Sequence, residues 1–102
     1  MPGSGFFFGE IGMELAKLRD QINRIDHELI KLLNERARIA LEIGSVKRVS
    51  GQPILDEQRE NYVINRVIKI NSGPMPEKSM NKIFSEIVMA CREIQDQQQF
   101  FT

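Results

Sequence analysis

Tryptophan is absent from the 102 residues of this chain, and cysteine, histidine and tyrosine occur once each, as Cys91, His27 and Tyr62. One cysteine excludes an intramolecular disulfide and fits a reducing compartment, so a cytoplasmic protein is expected. One histidine and one cysteine leave no zinc constellation. No apolar run approaches the ~18 residues that a bilayer span requires, so no membrane partner is expected. Charge of one sign is also lacking: fourteen Lys/Arg balance fourteen Asp/Glu. A chain without a basic surplus gives no electrostatic reason to expect nucleic acid. Phe6, Phe7 and Phe8 stand in a glycine-rich leader that has no basic n-region, which argues against a secretory signal.

What the chain has is a long apolar periodicity. Leu15, Leu18, Ile22, Ile25, Leu29, Leu32, Ile39, Ile43 and Val46 recur at steps of three and four, the a/d seam of a helix packed on other helices. The seam slot between Leu32 and Ile39 holds Arg36. A charge in an apolar stripe is costly unless it is paired or serves a ligand. His27 lies off this seam and reads as a surface residue. Upstream, Gly3, Gly5, Gly9 and Gly12 make poor helix material. Residues 1–12 are therefore expected to be a flexible leader or a cloning remnant, although the Phe triplet has the chemistry to stick to a partner surface. The helical domain spans 13–99, and 100–102 form a tail.

The helix is expected from about Met13 to Ser50, a length of ~54 Å that one small domain cannot cover. Gly44 inside it costs roughly 1 kcal/mol relative to alanine and suggests the close approach of another backbone or a ligand. Gly51 and Pro53 enforce the stop. Asp56 reads as the N-cap of a second helix, with Glu57 and Glu60 in its first turn and Val63, Ile64, Val67 and Ile70 inside. Asn71-Ser72-Gly73-Pro74 ends it, and Pro76 suits the first turn of a third helix. There Met80, Ile83, Phe84, Ile87, Val88, Cys91 and Ile94 form an inward stripe ending near Gln97. The fold class is all-α, three helices of unequal length. The two short helices cover at most about half of the long seam, and a second copy of helix one is the simplest cover for the rest. An intertwined all-helical homodimer follows.

The polar residues sort by the same helical geometry. Arg36 and Lys47 lie on one face, roughly 16 Å apart along the axis, with side chains long enough to converge on a ligand between them. Between Leu15 and Ser50, eight Lys/Arg face five acids, a local excess more suited to a small anion than to a polyanion. Arg19 lies roughly 25 Å from Arg36 along the helix and cannot serve the same small ligand within one chain. In an antiparallel pair of long helices, one subunit's Arg19 approaches the other's Arg36. Gln95 follows Ile87 and Cys91 on the i, i+4, i+8 repeat, so it presents an amide donor on the inward stripe. Asp56, Arg59 and Glu60 cluster at the start of the second helix. On spacing alone a structural reading stands beside the ligand site, because a charge at an a/d position can also set coiled-coil register.

The ordered set Leu18-Arg19, Ile22, Ile25-Asp26, Leu32-Leu33-Asn34-Glu35-Arg36, Ile43-Gly44, Lys47, Pro53-Ile54-Leu55-Asp56, Arg59-Glu60, Ile83-Phe84, Ile87 and Gln95 resembles the all-helical class of chorismate mutases, across about Leu15 to Gln98. The resemblance implies conversion of chorismate to prephenate on the route to phenylalanine and tyrosine. This Claisen rearrangement needs no proton transfer, covalent intermediate, metal or cofactor. It implies that Arg36 and the partner subunit's Arg19 hold the two substrate carboxylates, a task suited to planar guanidinium forks. Lys47 and Gln95 would donate to the ether oxygen. Glu60 would accept from the ring hydroxyl, helped by Lys47 and by Asp56 near the pocket mouth, with Arg59 at the edge. One departure is visible: Cys91 stands where some members carry a serine that contacts a carboxylate. A thiol is a weak donor, so Cys91 reads first as a core residue and only marginally as a substrate contact. Two rival readings remain. One is an isochorismate-pyruvate lyase of the same fold, against which the Asp56 and Glu60 pair argues. The other is a non-catalytic dimerisation or regulatory module from a larger aromatic-biosynthesis enzyme.

Overall fold

The computed structural model describes residues 3–99, with side chains from Gly9 to Gln97. The side chains of the Phe6–Phe8 triplet and the 100–102 tail lie outside the described residues. Three α-helices follow one another, α1 (Gly3–Ser50), α2 (Glu57–Ile70) and α3 (Glu77–Gln99), and no strand occurs among the described residues. The all-α class with three helices of unequal length is as the periodicity required. The chain divides into two units, Met1–Asn34 and Glu35–Thr102, and the division falls inside α1.

The helix starts at Gly3, not near Met13. Glycine lowers propensity, but extending an existing helix adds a hydrogen bond for each residue fixed, whereas nucleation carries the main cost. In the first unit the apolar seam stands uncovered: Leu15, Leu18, Ile22, Ile25, Leu29 and Leu32 each expose between 43% and 56% of their surface. Such a stripe on one helix has nothing to bury it within its own unit.

The C-terminus of α1 closes as its sequence dictates. Gly51 adopts φ 75°, its N–H reaches Arg48 O at 3.4 Å, and Gln52 N–H reaches Lys47 O at 2.8 Å. These are the paired bonds of a Schellman cap, which needs a left-handed residue that glycine supplies without a Cβ clash. The Asp56 carboxylate accepts from Arg59 N at 3.0 Å, capping α2. Asn71 ends that helix by donating to Met75 O at 2.8 Å while its own Oδ1 accepts from Gly73 N at 3.1 Å. Pro76 sits immediately before α3 rather than within its first turn, and its carbonyl accepts from Met80 N at 3.0 Å.

The core of the second unit is small. Ala40, Ile54, Val67, Val88 and Cys91 are buried, together with the polar Gln95. On α3 the inward stripe is graded: Val88 and Cys91 are buried, Phe84, Ile87 and Ile94 are half-buried, and Ile83 is exposed. The face of α1 turned to α3 is Arg36, Ala40 and Gly44, at successive steps of four, and not the apolar seam. Ile39, Ile43 and Val46 remain exposed on the neighbouring face. Arg36 therefore marks the border between two faces of one helix.

The cap offers a direct test. Asp56→Ala is expected to lower stability by about 1 kcal/mol, while Asp56→Asn retains the cap. Denaturant titration of the two variants checks this, and equal midpoints for both would remove the cap from the account.

Candidate active site

A cavity of about 260 Å³ lies inside the second unit, with walls from all three helices and the α1–α2 loop. From α1 come Arg36, Ile39, Ala40 and Ile43, and from the loop comes Ile54. The first two turns of α2 supply Arg59, Glu60 and Val63, and α3 supplies Val88, Cys91, Arg92 and Gln95. Three guanidinium groups against one carboxylate leave the walls with a surplus of two positive charges. Apolar side chains between them lower the local dielectric and strengthen each polar contact made inside.

Arg36 is half-buried, and its Nη1 donates to Cys91 Sγ at 3.0 Å. Sulfur is a weak acceptor, so this bond holds the guanidinium in place without satisfying it. A carboxylate arriving in the cavity is the stronger partner. Cys91 is buried, which agrees with its reading as a core residue, and it also forms part of the cavity wall.

Gln95 is 8% exposed, and its Oε1 is buried without a hydrogen-bond partner. Leaving such a group unpaired costs roughly 1–3 kcal/mol, so its presence in the wall points to a ligand that uses the carboxamide. Gly44 explains how the side chain fits. A Cβ at Gly44 would stand 3.1 Å from Gln95 Cγ and 3.4 Å from its Cβ. The close approach inferred from the glycine is therefore to a side chain on α3. Gly44→Ala adds helix propensity but pushes Gln95 aside. Thermal stability is expected to change little while kcat/KM falls about tenfold, the scale of a small displacement at a reacting centre. Undiminished turnover would show that Gln95 tolerates the shift.

Glu60 and Arg92 form the single ion pair among the described residues, with Oε2 3.2 Å from Nε. The Nε–H nonetheless makes no hydrogen bond, so the two charges are adjacent without being aligned. Arg59 stands over the Tyr62 ring at 5.1 Å from its centroid, at the exposed rim.

Of the residues expected from sequence, the structure brings Arg36, Arg59, Glu60, Cys91 and Gln95 to one cavity. Lys47 is not in its wall; its Nζ donates to Ile54 O at 2.9 Å and braces the α1–α2 loop. Asp56 is engaged in capping α2. Arg19 belongs to the first unit and is exposed there. Arg92 is a wall residue that the sequence reading does not single out. A signal is present, because Arg92 follows Val88 by four residues and so shares the inward face of α3.

Comparison with known proteins matches this chain both in sequence and in fold. The chorismate mutase type II family matches residues 18–96, which include every residue of the cavity wall. The bifunctional chorismate mutase/prephenate dehydratase of Aquifex aeolicus is 36% identical over 86 residues, covering 80% of this chain and 24% of the relative. The corresponding bifunctional protein of Neisseria gonorrhoeae is 35% identical over 77 residues, covering 76% of this chain and 21% of the relative. The chain thus spans about a quarter of the length of these bifunctional relatives. The chorismate mutase of Methanocaldococcus jannaschii is 31% identical over 85 residues, covering 82% of this chain and 86% of the relative. Chorismate mutase (Form II) from Thermus thermophilus superposes with a TM-score of 0.81 at 32% identity, covering 83% of this chain and 97% of that one. Matched over most of its length in sequence and in fold, this chain belongs to the chorismate mutase type II family.

Proposed function

We propose that the domain isomerises chorismate to prephenate. The observation that carries this reading is the cavity wall: three guanidinium groups, one carboxylate and one unspent carboxamide line about 260 Å³. That set complements a small dicarboxylate bearing a hydroxyl group and an ether oxygen. The rearrangement breaks the ether C–O bond while a C–C bond forms between the side chain and the ring, and no proton moves. Catalysis then requires two things, a compact geometry that brings the bonding carbons together and donors where the ether oxygen gains charge.

In this reading Arg36 exchanges its bond to Cys91 for a substrate carboxylate, gaining a charge-assisted pair in place of a weak one. Gln95 donates to the ether oxygen. Its carboxamide turns by rotation about one bond, so either end can face the cavity. Glu60 accepts from the ring hydroxyl and thereby fixes the orientation of the ring. Lys47 reaches the ether oxygen by releasing Ile54 O, which its flexible stem allows. Arg59 contributes charge at the cavity wall, and Asp56 holds the α2 terminus that carries Glu60.

The second carboxylate is assigned to the partner subunit's Arg19. Support for a homodimer comes from the uncovered seam Leu15–Leu32, which another helix of the same pattern would bury. An intertwined pair would also bring each subunit's Arg19 to the other's cavity. No described helix is long and apolar enough to cross a membrane. The free Cys91 is consistent with a cytoplasmic setting, which is the compartment proposed.

The test is addition of the purified protein to chorismate, following loss of its absorbance and identifying the product as prephenate. No conversion would leave a non-catalytic helical module. Turnover of isochorismate with release of pyruvate would instead support the lyase reading, against which Glu60 in the cavity wall argues.

A further inference from the structure

Among the described residues, one charged group holds Glu60. The two side chains that the sequence placed beside it are committed elsewhere, Lys47 to Ile54 O at 2.9 Å and Asp56 to Arg59 N at 3.0 Å. That group is Arg92, on the opposite wall, with Nε 3.2 Å from Oε2. Both side chains are about three-quarters shielded, 26% exposed for Glu60 and 29% for Arg92, and both line the cavity. The pair therefore joins α2 to α3 across the site. A carboxylate free to rotate would offer the ring hydroxyl its acceptor in many orientations, and only one would favour reaction.

We propose that Arg92 is a positioning residue for the reaction: its guanidinium fixes the Glu60 carboxylate in the orientation that receives the ring hydroxyl. This rests on the chorismate mutase reading of the cavity. The buried Nε–H adds a second point. It lies 3.2 Å from Oε2 yet makes no hydrogen bond, so the contact holds the carboxylate by charge and leaves its lone pairs to a bound hydroxyl. Arg92 thus restrains Glu60 without competing for its lone pairs. Its position on α3, four residues after Val88 and one after Cys91, ties this restraint to the same helix that carries Gln95.

The alternative roles of Arg92 are distinguishable. Were it to bind a substrate carboxylate directly, its loss would raise KM whatever stood at position 60. Were it only a strut between α2 and α3, its loss would lower stability and add independently to any change at Glu60. A positioning residue behaves differently, because its effect passes through the group it positions.

The experiment is a double-mutant cycle on the intact protein, with kcat, KM and thermal midpoint measured for wild type, Arg92→Gln, Glu60→Gln and the double variant. Arg92→Gln is expected to lower kcat about tenfold with Glu60 present and less than about twofold in the Glu60→Gln background, the non-additivity of residues acting as one unit. Arg92→Lys, which keeps the charge, should retain more activity than Arg92→Gln. Additive losses in kcat, or an equal rise in KM in both backgrounds, overturn the proposal. Should Arg92→Gln prove too unstable, the Arg92→Lys cycle with Glu60→Gln carries the same comparison on a folded protein. Wild-type protein that converts chorismate while the cycle is additive rejects the role of Arg92 alone. Wild-type protein that converts none rejects the mutase reading and the positioning role together.

Discussion

Arg36→Ala is expected to lower kcat/KM for chorismate by about three orders of magnitude while the protein stays folded, the scale found when one partner of a buried, hydrogen-bonded charge pair is removed. The fold should survive because alanine is the better helix former and because the lost bond runs to a neutral sulfur. A hydrogen bond of that kind contributes at most about 1 kcal/mol, so the thermal midpoint should fall by only a few degrees. Catalysis should not survive. Arg36 is the guanidinium that reaches from α1 to Cys91 on the α3 wall, and water entering the vacated space would solvate the carboxylate without orienting it. Circular dichroism and steady-state kinetics on one preparation settle the matter. A folded variant with near-normal turnover would falsify the assignment of Arg36 to the site.

The second large effect is a recovery. Arg19→Ala and Arg36→Ala proteins, each nearly inactive alone, should regain activity when mixed and allowed to exchange subunits. If each cavity takes its own Arg36 and the partner subunit's Arg19, a hybrid dimer holds one intact site and one doubly defective site. Random exchange makes about half of the dimers hybrid, so activity should rise to about one quarter of the wild-type value. From a starting point so much lower, that signal is unmistakable. The order of mixing must not matter, and dilution that prevents exchange must abolish the gain. No recovery after exchange has been verified, for instance by mass-tagged subunits, would place Arg19 outside the site. The seam bears on the same question, since its uncovered leucines and isoleucines are what would hold the two subunits together.

Much of this architecture is readable from residue order. The turn of Gly51 and the cap of Asp56 follow from local chemistry, because one needs a residue without Cβ and the other a short acceptor. Both act within five residues of chain, where sequence and geometry are almost the same thing. The start of α1 at Gly3 is not readable in this way, for the complementary reason. Propensity counts each residue separately, whereas a helix already formed extends cooperatively.

The site shows where local reading stops. Arg36 stands out as a charge in an apolar seam, yet its surroundings depend on which neighbouring face of α1 turns toward α3. The 3.6-residue repeat specifies that faces exist, and packing decides which of them meets a partner. Likewise Lys47 shares a helix face with Arg36, but its ammonium donates to a carbonyl of the loop, that of Ile54. Arg92 gives little sign of itself in the sequence because its significance lies in Glu60, thirty-two positions earlier in the chain.

Three helices, their punctuation, the family and five of the twelve residues that line the cavity are written in the order of residues. Periodicity, capping chemistry and motif order are properties of neighbouring residues, and they persist in any arrangement of the helices. Three contacts depend on the folded arrangement instead: Gln95 lies against Gly44 with an unspent carboxamide, Cys91 holds Arg36, and Glu60 faces Arg92. Those contacts join residues far apart in the chain, and their distances are set by how closely helix surfaces can pack.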